Sequence, residues 1–163
     1  MRIGVGWLLV VCGQAQPLPA IPDTLKPPPH ETVTLQVRAA GDQIYVCDHS
    51  GWVLSRPDAK LFDESAKQVG SHSAGPAWQY SDGSKVTAKP VANTTPDPDS
   101  IPWLLLTATG HEGEGVMKGV TSIQRLSTKG GKAPATGCDA QHTGQQARSH
   151  YTALYVFYTG PSR

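Results

Sequence analysis

Apolar residues recur at every second position through Thr32-Val33-Thr34-Leu35-Gln36-Val37-Arg38. Val33, Leu35 and Val37 share one face of an extended chain, and Thr34, Gln36 and Arg38 share the other. A period of two marks a half-buried strand, and nowhere does the chain sustain the 3.6-residue period of a helix. Gly41-Asp42 is expected to turn the chain into a second strand, Gln43-Ile44-Tyr45-Val46-Cys47. Trp52-Val53-Leu54 makes a short third strand after the His49-Ser50-Gly51 turn. Residues 57–63 suit either a brief strand or a single helical turn. Trp78-Gln79-Tyr80 and Lys85-Val86-Thr87-Ala88 flank Asp82-Gly83, a dipeptide suited to a type I′ hairpin turn. Residues 89–100 read as a loop. Residues 101–108, IPWLLLTA, are apolar on both faces, as in a strand covered from both sides, although Ser100 and Pro102 also suit the start of a short helix. Residues 120–127 are strand-like, 128–144 form a long loop, and 151–158 are rich in the aromatic and β-branched residues of a central strand. About seven to nine short strands predict one all-β domain over residues 32–163, an antiparallel β-sandwich or barrel.

The amino end has a different character. Arg2, the apolar stretch from Ile3 to Val11 and the small residues around Gly13-Gln14-Ala15 follow the plan of a secretory signal peptide over residues 1–15. That apolar stretch is roughly half of the ~20 residues a membrane span requires, so no transmembrane segment is expected. Acylation at Cys12 is the alternative, a lipoprotein, but bulky Val11 stands where a small residue is wanted. Residues 16–31 carry six prolines, which predicts an extended, weakly packed leader. Cleavage after Ala15 removes one basic residue, Arg2, bringing the 14 Lys and Arg level with the 13 Asp and Glu. A neutral domain without a basic cluster lacks the electrostatic footprint of a nucleic-acid binder and the polybasic segment of a membrane-surface protein. The expected location is outside the cell or in the periplasm. Two of the three cysteines, Cys47 and Cys138, remain after cleavage. An oxidising compartment favours a disulfide between them, closing a loop of about 90 residues worth roughly 4–5 kcal/mol, over two buried free thiols.

Familiar catalytic signatures are missing: there is no HExxH, GxSxG, phosphate-cradling glycine loop or CxxC. None of the six histidines pairs with another at a spacing of two to four, so a metal site requires residues gathered by the fold. His49, His72, Asp82 and His111 are the candidate ligands. Ser50, Ser71, Ser73 and Ser84 stand near His49 or His72, but nearness along the chain does not make a triad, and serine is common in turns. The carboxylates offer many pairs for glycoside hydrolysis and no reason to choose one. The aromatics suggest a binding surface instead: Trp52, Trp78 and Tyr80, with His72 and Asp82 close by, are candidates for stacking on a sugar, whereas Trp103 inside an apolar run is expected in the core.

Taken in order, several stretches resemble one family of secreted bacterial and fungal proteins, the domain-of-unknown-function family numbered 3455. They are QIYVC at 43–47, WV at 52–53, PDAKLF at 57–62, HSAGPAW at 72–78, DGS at 82–84, IPWLLL at 101–106, IQRL at 123–126, TKGG at 128–131, GCD at 137–139 and YTA at 151–153. The resemblance runs from about residue 41 to 158. It implies a secreted single domain and supports pairing Cys47 with Cys138, but supplies no reaction and no cofactor. Where the family often has Tyr after the histidine, this chain has Ser73. The functional expectation is an extracellular or cell-envelope binding module, with polysaccharide as a candidate ligand, rather than an enzyme. A metal-dependent, redox-capable enzyme centred on His72, with a divalent metal as cofactor, is the alternative.

Overall fold

The structure is a computed structural model that describes residues 18–161, so the signal peptide and the Cys12 alternative lie outside the described residues. Eight strands follow one another: β1 (Thr32–Asp48), β2 (Gly51–Phe62), β3 (Gln68–Ser73), β4 (Ala77–Tyr80), β5 (Lys85–Thr94), β6 (Trp103–Glu112), β7 (Val120–Gly130) and β8 (Gln146–Thr159). Each pairs antiparallel with the next, and β8 returns to β1 to close a barrel. Closure resolves the choice between sandwich and barrel: a closed up-and-down sheet encloses its apolar face without needing a second sheet.

The early alternation runs further than the local turn signals suggest. Gly41-Asp42 is no turn but the middle of the continuous 17-residue β1, with Gly41 opposite Ala59 and Asp42 opposite Asp58. Glycine is required there because a Cβ would collide with the Asp58 carbonyl and the Ala59 backbone. The same inward parity therefore carries from Val37 through Ala39 and Gly41 to Gln43. Residues 57–63 likewise belong to one long β2 rather than to a separate strand or helical turn. Residues 89–94, expected as loop, continue β5 through two register shifts around Pro90. The segment at 101–108 enters a strand, not a helix.

Inward residues fill the lumen with a mixture of small and large groups. Ala39, Ala59, Ala88 and Ala153 leave room for Trp78, Tyr151, Tyr155 and Phe157. One end is stoppered by the β6–β7 loop, which buries Met117 completely in the lumen core. Asp82 ties that loop down: its carboxylate accepts from the Ser84 amide at 2.9 Å and hydroxyl at 2.6 Å, and from the Val116 amide at 2.8 Å. At the other end the β7–β8 loop folds over the rim. The Cys47–Cys138 disulfide holds it, with Cα atoms 5.3 Å apart, as does the Trp52 indole N–H donating to the Thr136 carbonyl at 2.9 Å.

Outside the barrel, a second apolar cluster of Leu126, Val156 and Tyr158 is covered by Leu18, Ile21 and Trp103. The expected weakly packed leader thus overstates its freedom. Asp23–Leu25 form a single 3₁₀ turn, Leu25 is fully buried, and its carbonyl accepts from the Gln124 side-chain amide at 2.6 Å. Prolines stiffen this segment, and three aliphatic side chains give it something to bury. Trp103, expected in the core, is half-buried in this outer cluster instead.

The wall is incomplete on one side. β3 reaches only Ala59–Phe62 of β2, and β4 reaches only Lys85–Thr87 of β5. The short β3–β4 hairpin therefore leaves residues 51–58 of β2 and 88–94 of β5 without ladder partners across the gap, apart from the Ala88 amide donating to the Pro76 carbonyl at 3.2 Å. Pro57 and Pro90 stand on these open edges. Proline presents no free amide to an intruding strand, which protects such edges from pairing with other chains.

Candidate functional site

Behind that gap lies a chamber of about 420 Å³, lined by Gln43, residues 54–57, His72, Gly75, Pro76, Trp78, Pro90, Leu104, Leu106, Arg125 and Tyr155. Its volume falls in the range of small-molecule sites. A larger outer depression of about 660 Å³ runs past Pro19, Arg38, Phe62, Glu64 and Leu154, but lies away from the aromatic cluster.

His72 and Trp78 are directly opposite each other on β3 and β4. Their rings stack with centroids 4.2 Å apart and planes inclined by 10°. Tyr155 meets both edge-on, at 5.2 Å from His72 and 5.4 Å from Trp78, and Phe157 packs against Trp78 from below at 6.2 Å. Such edge and stacked contacts fix ring orientation as well as burying area. The His72 Nδ1 lies 2.9 Å from the Ala77 carbonyl. A carbonyl can only accept, so Nδ1 carries the proton and Nε2 of the neutral ring is an acceptor. Burial holds the imidazole neutral: its pKa falls from 6.5 to about 4, the Ala77 bond opposing and Arg125 adding slightly to the drop.

Arg125 enters the lumen from β7, paired with Tyr155 on one side and Leu104 on the other. Its Nε donates to the Pro102 carbonyl at 3.0 Å, which anchors the guanidinium in the wall. Burial raises the acidities' midpoints of Tyr45 and Tyr155, with Arg125 pulling each back, and pushes that of Tyr151 up in the same way. All three phenols are therefore neutral at ordinary pH.

Several polar atoms around this lumen make no hydrogen bond of full geometry, although the Tyr155 hydroxyl has Tyr151, Arg125 and Trp78 as polar neighbours. They are the Gln43 Oε1, the Trp78 Nε1–H and the Tyr151 and Tyr155 hydroxyls, all fully buried. Leaving such a group unpaired typically costs about 1–3 kcal/mol, so native interiors hold few of them. Three of the four, on Gln43, Trp78 and Tyr155, belong to residues that line the chamber.

The residues singled out from the sequence are distributed differently from the expectation. His72 and Trp78 are brought together, but in the interior, Trp78 being 1% exposed. Trp52 is at the rim clamping the β7–β8 loop. Tyr80 packs on the lumen core toward the stoppered end, and Asp82 is in the turn at that end. These aromatics therefore form no common sugar-stacking surface. The candidate metal ligands are equally scattered. His49 is exposed in the β1–β2 turn, the His111 Nε2 donates to the Val120 carbonyl at 2.7 Å, and Asp82 is engaged with Ser84 and Val116. Among the described residues, no three His, Cys, Asp or Glu side chains are grouped to hold one ion.

Sequence reasoning missed Gln43, Arg125, Tyr151 and Tyr155. A signal was present: Gln43 keeps the inward parity of Val37 and Ala39, and Arg125 keeps that of Ile123. A polar residue in the apolar phase of a strand marks a lumen group. Among curated proteins and among solved structures, no match to the chain is found. The family model described as a protein of unknown function, DUF3455, matches residues 27–159, a span that takes in all eight strands and both cysteines. The chain belongs to that family.

Proposed function

We propose that this chain is a secreted binding barrel that takes a small organic molecule through the gap between β2 and β5 into the chamber beside His72 and Trp78. The observation that carries this reading is the set of unpartnered buried polar atoms on Gln43, Trp78 and Tyr155 around a chamber of about 420 Å³. A ligand that bonds to them offsets the desolvation cost that folding left standing. A disulfide across the rim accords with an oxidising compartment outside the cytoplasm. A metal-dependent enzyme centred on His72 finds less support, because the side chains packed against the imidazole are aromatic.

Native mass spectrometry of the chain secreted by its own host tests the reading. A bound small molecule should be present in the native mass and absent after denaturation. Leu106→Trp, which fills the chamber, should abolish it. Titration of tryptophan emission, to which Trp52, Trp78 and Trp103 contribute, with a small-molecule panel covers the case in which that variant does not fold. A chain that carries no ligand, and whose emission answers to none, would overturn the proposal.

A further inference from the structure

The chemistry of the chamber wall narrows what it takes. Arg56 and Arg125 both line it, and no Asp or Glu does. Among the described residues neither guanidinium is in an ion pair with a carboxylate, whereas Arg148 on the outer wall is paired with Asp42 and Asp58. Several acids elsewhere are matched to cations, as in Lys85–Glu112, Lys118–Glu114 and Lys129–Asp97, while Asp48, Asp63 and Asp82 are held by serine hydroxyls. Two guanidiniums without a carboxylate partner thus face the chamber beside low-polarity walls, where their field is least screened.

The remaining polar groups add donors. The Trp78 indole can only donate, and the hydroxyl of Tyr155, the residue directly across the β7–β8 ladder from Arg125, can donate to a ligand in place of its loose contacts with Tyr151 and Trp78. Arg125 spends Nε on the Pro102 carbonyl, leaving its terminal nitrogens for the fork that matches the two oxygens of a carboxylate. The rest of the lining is apolar, Leu54, Pro57, Pro76, Pro90 and Leu104; Leu54, 51% exposed, and exposed Pro90 lie at the opening, while Pro57 is buried. A polar, cationic floor beneath an apolar throat fits a molecule with the same two ends.

Building on the binding function proposed above, we infer that the ligand is a small organic anion, a carboxylate or its equivalent on an apolar body, whose charged head is held by Arg125, Tyr155 and Trp78 while its apolar part occupies the throat at Pro57, Pro76 and Pro90. Arg56 contributes attraction at the mouth.

Octanoate, 1-octanol and octylamine share a tail and differ in the head, and calorimetric titration of the full secreted chain near neutral pH compares them directly. Octanoate should bind at least about tenfold more tightly than 1-octanol, with octylamine weakest. Arg125→Gln should bring octanoate and 1-octanol to within about threefold, while Arg125→Lys should keep part of the preference. A circular-dichroism melt verifies that each variant is folded. If Arg125→Gln is not, the wild-type chain still decides: raising salt from about 0.05 to about 0.5 M should weaken octanoate and leave 1-octanol unchanged. Equal binding of octanoate and 1-octanol would overturn the anion assignment and leave a neutral-ligand barrel standing. Failure of all three probes would overturn it as well, and the ligand screen described above then decides separately whether the chamber binds anything.

Discussion

Protonating His72 means placing a charge against the Trp78 ring, out of reach of bulk water and on the same chamber wall as the Arg125 guanidinium. The unfolded chain binds that proton near pH 6.5 and the folded chain only near pH 4. Between those values the unfolded state holds more protons, so stability is intact above about pH 6.5 and declines as the pH falls toward 4. The shift corresponds to about 3 kcal/mol when complete. Urea midpoints measured from pH 7 down to 4.5 should therefore fall for the wild type and stay nearly flat for His72→Gln, whatever that substitution costs at neutral pH. Parallel declines in the two proteins would remove His72 as the cause. Asp82 is the contrasting case. It drew notice beside His72 because ten residues separate them in the chain, yet a single hairpin carries it to the stoppered end, where its carboxylate is held below the usual range chiefly by the Ser84 hydroxyl and then by the Val116 amide.

Strand identity was legible wherever alternation was unbroken, and it was lost where glycine or proline interrupted it. Gly41 and Pro90 each read locally as punctuation. In the barrel, Gly41 admits the β2 backbone and Pro90 occupies an open edge. Misplacing the Gly41 turn also hid the inward phase of Gln43, and with it a quarter of the unpartnered lumen groups. The leader shows the reverse error, because proline content says where a chain cannot donate hydrogen bonds and nothing about what its few aliphatic side chains meet. Leu25 is the test residue for that segment. Leu25→Ala removes a fully buried side chain and should cost about 2–4 kcal/mol in chemical denaturation. A loss below about 0.5 kcal/mol would mean that the segment is not docked on the barrel in solution.

Across the molecule, the first and last strands close the wall, with Thr32 opposite Thr159 at one limit and Val46 opposite Gln146 at the other. The barrel end covered by the β7–β8 loop relies on a further tie, the disulfide joining residues 91 apart. A Cys47→Ser/Cys138→Ser chain should lose roughly 4 kcal/mol by the loop-entropy estimate. The same pair should exchange the amides of the β7–β8 loop faster than those of β1 and β8. Equal protection in the two proteins would show that the Trp52–Thr136 bond and the neighbouring backbone bonds hold the loop unaided. The gap between β2 and β5 is distinct from this closure seam, with the full β1–β2 ladder standing between them, and that separation has a kinetic meaning. On the binding function proposed above, a guest passing the Gly75-Pro76 hairpin tip, which lines the chamber, leaves the ladder between β1 and β8 shut. Under that proposal, residence time of a guest and lifetime of the fold are set by different ladders of the barrel, so each can drift in evolution without dragging the other along.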